Sequence, residues 1–242
     1  MANLVSFVHP LWDLQSFFIF DDFWQDQSDI NWIDTITDTG TATMGDWANG
    51  QVELDPSDGT VGDNDECYLG SASENFLVAA NRSLYYRTRI SYAEQNTDDA
   101  NIAVGFANAV AANLLVDDGA GMRTTGNIFA IVKVDGETLW RAVSRNGTAV
   151  NNTQSTTTAG VTTAQTGWQV LEIQVHDFDG GTNVQVTYAV DGLLLRDSNN
   201  LVIKHTVLIA SSTEMQAFLA VKNGSTNNEL LYSDYVFAGQ TR

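Results

Sequence analysis

Two short runs in this chain group hard oxygen donors closely enough to hold a cation. Asp63-Asn64-Asp65-Glu66 and Asp117-Asp118-Gly119 gather carboxylates and a carboxamide in turn-forming sequence, and calcium is the ion that prefers such ligands. Asp63, Asp65, Glu66, Asp117 and Asp118 are therefore the candidate calcium ligands. Neither run has EF-hand spacing, and Asp-rich stretches also simply make turns. The expectation is of no cofactor, calcium being the one ion this chemistry would suit. Other chemistries lack their parts. No Gly-x-Ser-x-Gly elbow, Walker loop or His-Glu-x-x-His occurs, and His9, His176 and His205 are too scattered to suggest zinc. The single cysteine, Cys67, cannot close an intrachain disulfide and reads as a small semi-buried hydrophobe. No catalytic residue is expected, and the chain is read as non-enzymatic.

The elements available to position these groups are strands. From Gly167 to Arg196 the chain alternates, with Leu171, Ile173 and Val175 against Glu172, Gln174 and His176, then Val184, Val186, Tyr188 and Val190 against Gln185 and Thr187. Period-2 patterning of this kind makes strands with one buried and one wetter face. Asp191-Gly192, which tolerates positive φ, turns the second strand into a third, so the stretch predicts a three-stranded meander. Ser83 to Tyr92 is another alternating strand, with Leu84, Tyr86, Thr88, Ile90 and Tyr92 on one face and Tyr85, Arg87, Arg89 and Ser91 on the other. Asp135-Gly136 and Asn146-Gly147 mark two further turns. Ala-rich Asn108 to Asn113 has room for one helical turn, and residues 151–166 read as a polar, Thr-rich loop or edge. With two prolines in the chain, no convincing helix and turns roughly every 8–12 residues, about 12 to 15 strands in a sandwich or barrel are expected.

The 242 residues, 43% hydrophobic and 17% charged, suffice for one large β domain. The division expected is an N-terminal arm, 1–20, and a single sandwich, 21–242. The arm is apolar without clean periodicity, and a segment this greasy must pack on its own domain or insert into a neighbour. Its Phe7, Leu11, Trp12, Phe17 and Phe18 are the candidate partner contacts. The arm lacks the basic start of a signal peptide and is too short to span a membrane, so synthesis in a cytoplasm without export is expected.

Net charge is −19, and its distribution is uneven. Residues 1–81 hold 15 acidic side chains and no Lys or Arg, whereas 82–242 hold 15 acidic and 11 basic. Nucleic acid needs basic surface to displace counterions, so it is not an expected partner. A basic protein partner, divalent cations or plain solvation would each suit the acidic third.

The order of these segments resembles a known family. Asp21-Asp22-Phe23 opens it; Glu66-Cys67-Tyr68-Leu69-Gly70-Ser71, Leu84-x-Tyr86-x-Thr88-x-Ile90 and Ile102-Ala103-Val104-Gly105-Phe106-Ala107 follow. Asp117-Asp118-Gly119, Val134-Asp135-Gly136 with Trp140, and Trp168 through Asp191-Gly192 complete it. Together they look like the concanavalin A-like (legume lectin, glucanase, laminin-G) jelly roll, and more narrowly are similar to the decoration or cement domains of tailed-phage virions, over about residues 21–242. The resemblance implies an all-β sandwich of two antiparallel sheets with an irregular N-terminal arm. It implies a virion structural protein on the capsid exterior that binds the major capsid protein or other virion proteins, as a dimer or trimer. The alternative is a lectin-like carbohydrate-binding module on a virion or cell surface. Lectins of this fold use loop aromatics, and Trp47, in Gly45-Asp46-Trp47-Ala48-Asn49-Gly50, is the candidate for stacking on a glycan. Glycosidases of this fold carry two carboxyl groups about 5–5.5 Å apart. Here Glu172 is flanked by Gln174 and His176, and Asp177-Phe178-Asp179 runs into Gly180-Gly181 as a turn.

Overall fold

The computed structural model describes residues 16–24, 31–45, 50–57, 59–96, 98–147, 149–159, 167–177, 183–208 and 213–241. Among them the regular elements are all strands. In chain order they are β1 (Ser16–Asp21), β2 (Trp32–Thr37), β3 (Thr41–Gly45), β4 (Gln51–Asp55), β5 (Glu66–Ser71), β6 (Phe76–Val78), β7 (Ser83–Glu94), β8 (Ala100–Ala107), β9 (Leu115–Val116) and β10 (Gly121–Met122). There follow β11 (Asn127–Lys133), β12 (Leu139–Asn146), β13 (Ala149–Thr158), β14 (Gln169–Asp177), β15 (Asn183–Val190), β16 (Leu193–Leu194), β17 (Lys204–Leu208), β18 (Thr213–Asn223) and β19 (Glu229–Thr241). These 19 described strands exceed the expected number because short ladders such as β9, β10 and β16 are only two residues long.

Sheet 1 runs β16-β15-β14-β7-β19-β4-β3, with β1 also on β19 and β17 on β15; sheet 2 runs β13-β12-β11-β8-β18-β5-β2, with β6 on β18. The β14-β15-β16 meander stands as its alternation and Asp-Gly turn foretold, with Asp191 at φ 51° and Gly192 at φ 75°. At Asp135-Gly136 and Asn146-Gly147 the glycine alone takes positive φ. The Ala-rich stretch from Asn108 to Asn113 forms a bend and a turn instead of a helix. Residues 149–158 form β13, the polar edge of sheet 2. β1 begins at Ser16 and pairs with β19 along its length, so the boundary expected at residue 21 falls inside a sheet strand.

The main core lies between the sheets. Tyr86, Ile90, Tyr92, Leu171, Ile173 and Leu231 from sheet 1 meet Ile102, Val104, Phe106, Ile131, Trp140 and Leu219 from sheet 2. Strand β8 is buried on both faces: Ile102, Val104 and Phe106 join the main core, whereas Ala103 and Ala107 join a second cluster with Tyr68, Leu114, Leu115, Met122, Val132 and Phe218. That second cluster is formed where residues 108–126 fold over the outer face of sheet 2. Within β8, Gly105 is required by its close approach to β11 and to Ile173 of the main core. It sits at φ 146°, and a Cβ on it would lie 2.1 Å from the Phe129 carbonyl oxygen.

One irregularity decides what sheet 1 shows to its outside. In β19, Leu231 and Ser233 point inward, but a bulge at Asp234 shifts the register on β7, so that Ser233 faces Ile90 and Tyr235 faces Arg89. After the bulge, Val236 and Ala238 point into the core. Tyr235 and Phe237 are thereby turned outward.

Candidate functional site

The outer face of sheet 1 carries a continuous aromatic and arginine surface. Ladder pairing places Phe20 beside Phe237, Phe237 beside Arg87 and Arg87 beside Glu172; the neighbouring row runs Phe18, Gly239, Tyr85, Gln174. Phe18 stacks on Phe237 with centroids 5.9 Å apart and planes 19° apart, Tyr85 meets Phe237 at 5.9 Å, and Phe20 meets Tyr235 at 6.2 Å. Arg87 lies 6.0 Å over Tyr235, and Arg89 lies 4.7 Å over Trp168 while bonding Asp234 at 2.8 Å. Burial first, and then the hydrogen bond that Tyr85 donates to Glu172 at 2.5 Å, raise the phenol's pKa. Phe18 is 46% exposed, Phe20 57%, and Trp24, just beyond β1, 74%. Aromatics and Arg are the residue types enriched at protein interfaces, because they bury large area while keeping a polar handle.

Of the predicted partner contacts, Phe18 lies on this face and Phe17 packs inward against Phe76 at 5.6 Å. Phe7, Leu11, Trp12 and the glycan candidate Trp47 lie outside the described residues. The sequence reading missed Phe20, Tyr235 and Phe237 as surface residues. Their signal, a strand rich in aromatics, reads equally well as core until the bulge is known.

The predicted calcium turns come together at the opposite face. Asn64 Oδ1 accepts from the Asp118 amide at 3.3 Å, bridging the two runs. Asp63 and Asp118 are exposed. Asp65 is buried and accepts from Ser57 Oγ and, at 2.7 Å, from the Gly62 amide. Glu66 and Asp117 turn toward Lys222, whose Nζ donates to Glu66 Oε2 at 3.2 Å and to Asp117 Oδ1 at 2.5 Å. Among the described residues no group of three or more His, Cys, Asp or Glu is arranged to hold a metal.

Two buried polar networks lie between the layers. His205 is held by Ser144 at 2.9 Å and Tyr188 at 3.2 Å on Nδ1 and by Thr153 at 3.0 Å on Nε2; burial drops its pKa to about 4, so the imidazole is neutral. At one end of the sandwich Glu94 and Glu229 are ladder partners. Lys133 from sheet 2 bonds Glu94 at 2.7 Å, and both side chains are buried. Both Glu229 carboxyl oxygens are buried without a hydrogen bond. Burial first, then the charges of Glu94 and Asp99, push its pKa up to about 8. The shift favours the protonated form of Glu229.

No family model matches the chain, and no curated protein does. Solved structures do. The Emp47p carbohydrate recognition domain superposes with a TM-score of 0.61 at 10% identity, covering 93% of this chain and 96% of its own. The endo-1,3-beta-glucanase of Streptomyces sioyaensis gives 0.56 at 15% identity over 92% and 95%. The potassium-bound form of the Emp46p carbohydrate recognition domain gives 0.57 at 10% identity over 90% and 94%. With two large antiparallel sheets and this coverage, the chain has the concanavalin A-like, legume lectin-like jelly-roll fold.

Proposed function

We propose that this protein is a non-enzymatic structural component of a virion, a decoration or cement protein that docks on the capsid exterior through the outer face of sheet 1. The supporting observation is the aromatic and arginine surface on which Phe18, Phe20 and Arg87 are exposed and Phe237, Tyr235 and Arg89 are half-buried. Its rings are already stacked on one another, so little ordering entropy is lost when a partner covers them. The virion setting comes from the resemblance of the sequence to phage decoration domains. The partner is then a coat subunit, and dimers or trimers of the chain would add avidity on a repeating lattice. Binding that favours the assembled shell stabilises it by mass action.

Co-sedimentation with undecorated shells tests this. Wild type should bind saturably. The Phe18→Ser/Phe20→Ser double variant should lose at least about tenfold in apparent affinity with an unchanged far-UV spectrum. Full binding by that variant removes the docking face.

A second reading, a lectin-like carbohydrate-binding module, is favoured by the carbohydrate recognition domains among the structural neighbours. Exposed Trp24 is the described ring best placed to stack on a sugar. A glycan-array signal for wild type that fades in Trp24→Ala would support this reading, and a blank array would remove it.

A further inference from the structure

We infer that Lys222 is a built-in cation: its ammonium fills an oxygen cage of the composition that otherwise takes a hard metal ion, and so fixes the 108–126 cover on sheet 2 without metal. Four oxygens surround Nζ: Glu66 Oε2, Asn113 Oδ1 and the Leu115 carbonyl at 3.2 Å each, and Asp117 Oδ1 at 2.5 Å. Two carboxylates, a carboxamide and a backbone carbonyl are the donor set of a hard-cation site. The donors come from β5 and from the cover on either side of and within β9, so the one charge ties that segment to the sheet. The lysine side chain is 1% exposed.

The anchoring continues around Glu66. It accepts from the Asn113 amide at 2.9 Å, from Thr37 Oγ1 at 2.8 Å and from Tyr68 Oη, whose own oxygen accepts from the Leu115 amide at 3.2 Å. Lys222 stands on β18 with Ala220 and Phe218, on the face that the cover occupies. An ammonium carries three N–H donors and no acceptor, so it answers these oxygens as a small cation does, but at the end of a covalent tether. The cage consequently has no exchangeable occupant.

Thermal melts with chelator, with calcium and with potassium test this. Wild type should melt at one temperature in all three. Lys222→Ala removes the tether and leaves the oxygens, so its Tm should fall by on the order of 10 °C and recover in part with calcium or potassium. Adding Asp117→Asn should abolish the recovery. Lys222→Met, which fills the space without charge, should be destabilised and stay indifferent to cations. Should Lys222→Ala be unfolded alone, it is refolded with each cation; folding only in the presence of one supports the inference. A wild type whose Tm drops with chelator overturns it, as does a Lys222→Ala protein that no cation restores.

Discussion

The two outer faces of the sandwich differ in cover among the described residues, and the alanines of sheet 2 are part of the difference. On sheet 2 the outward positions of β8 include Ala103 and Ala107, with Ala130 beside them on β11 and Ala220 on β18. A surface of small side chains lets residues 108–126 lie close, and Leu114, Leu115 and Met122 fill the space against it. On sheet 1 the corresponding positions carry Tyr85, Arg87, Arg89, Tyr235 and Phe237, which are large and pair with one another. Among the described residues, one face is covered by a segment of the chain and the other is not.

The sharpest way to break this contrast is to hollow out the covered face. Leu115→Ala should cost about 2–4 kcal/mol in urea unfolding, since the methyl groups it loses are fully buried in the second cluster. A cost below about 0.5 kcal/mol would mean that the cover is an ornament on the domain.

A different contrast, between the interior and the outer face of sheet 1, separates two glutamates. Glu229 keeps its proton in the folded state up to about pH 8, while in the unfolded chain it releases it near 4.5. A folded-state pKa raised in this way gives stability that is full below the unfolded value and is lost as pH climbs through the window to about 8. Glu229→Gln, neutral at every pH, should flatten that decline, recovering up to about 2 kcal/mol at its alkaline end after allowance for relaxation around the site. Glu172→Gln on the open face, where Tyr85 and Arg87 meet the carboxylate within reach of solvent, should change stability by less than about 1 kcal/mol. Denaturation midpoints across that pH range check both, and a Glu229→Gln profile parallel to wild type would defeat the raised pKa of Glu229.

The parts of this architecture legible in the sequence were local ones. Alternation at Leu171-Ile173-Val175 and the Asp191-Gly192 turn led directly to β14, β15 and β16, because a strand's two faces and a tight turn are encoded in a few neighbouring residues. Pairing at a distance was not legible. Lys222 reaches Glu66 across 156 positions and Asp117 across 105, so the oxygens read as calcium ligands could not be seen to have an internal partner. The open face was hidden by a single inserted residue. Strict alternation from Leu231 would send Tyr235 and Phe237 into the core, and Asp234, bulged out of the ladder, reverses them. A bulge leaves no periodic signal of its own.

The smallest effect sharpens the comparison most finely, because it asks what a cation is worth on each face. Arg89 is 39% exposed, bonded to Asp234 and stacked over Trp168. Solvent screens that ion pair, and the guanidinium over the indole adds an interaction of about 0.5–1 kcal/mol at such a site. A double-mutant cycle of Arg89→Ala with Trp168→Ala should return a coupling of that size in urea unfolding. Arg89→Lys should keep only part of it, since an ammonium lacks the planar stack. Coupling above about 2 kcal/mol would mean that the open face is as tightly built as the covered one, and that arginine there serves the fold before it serves any partner.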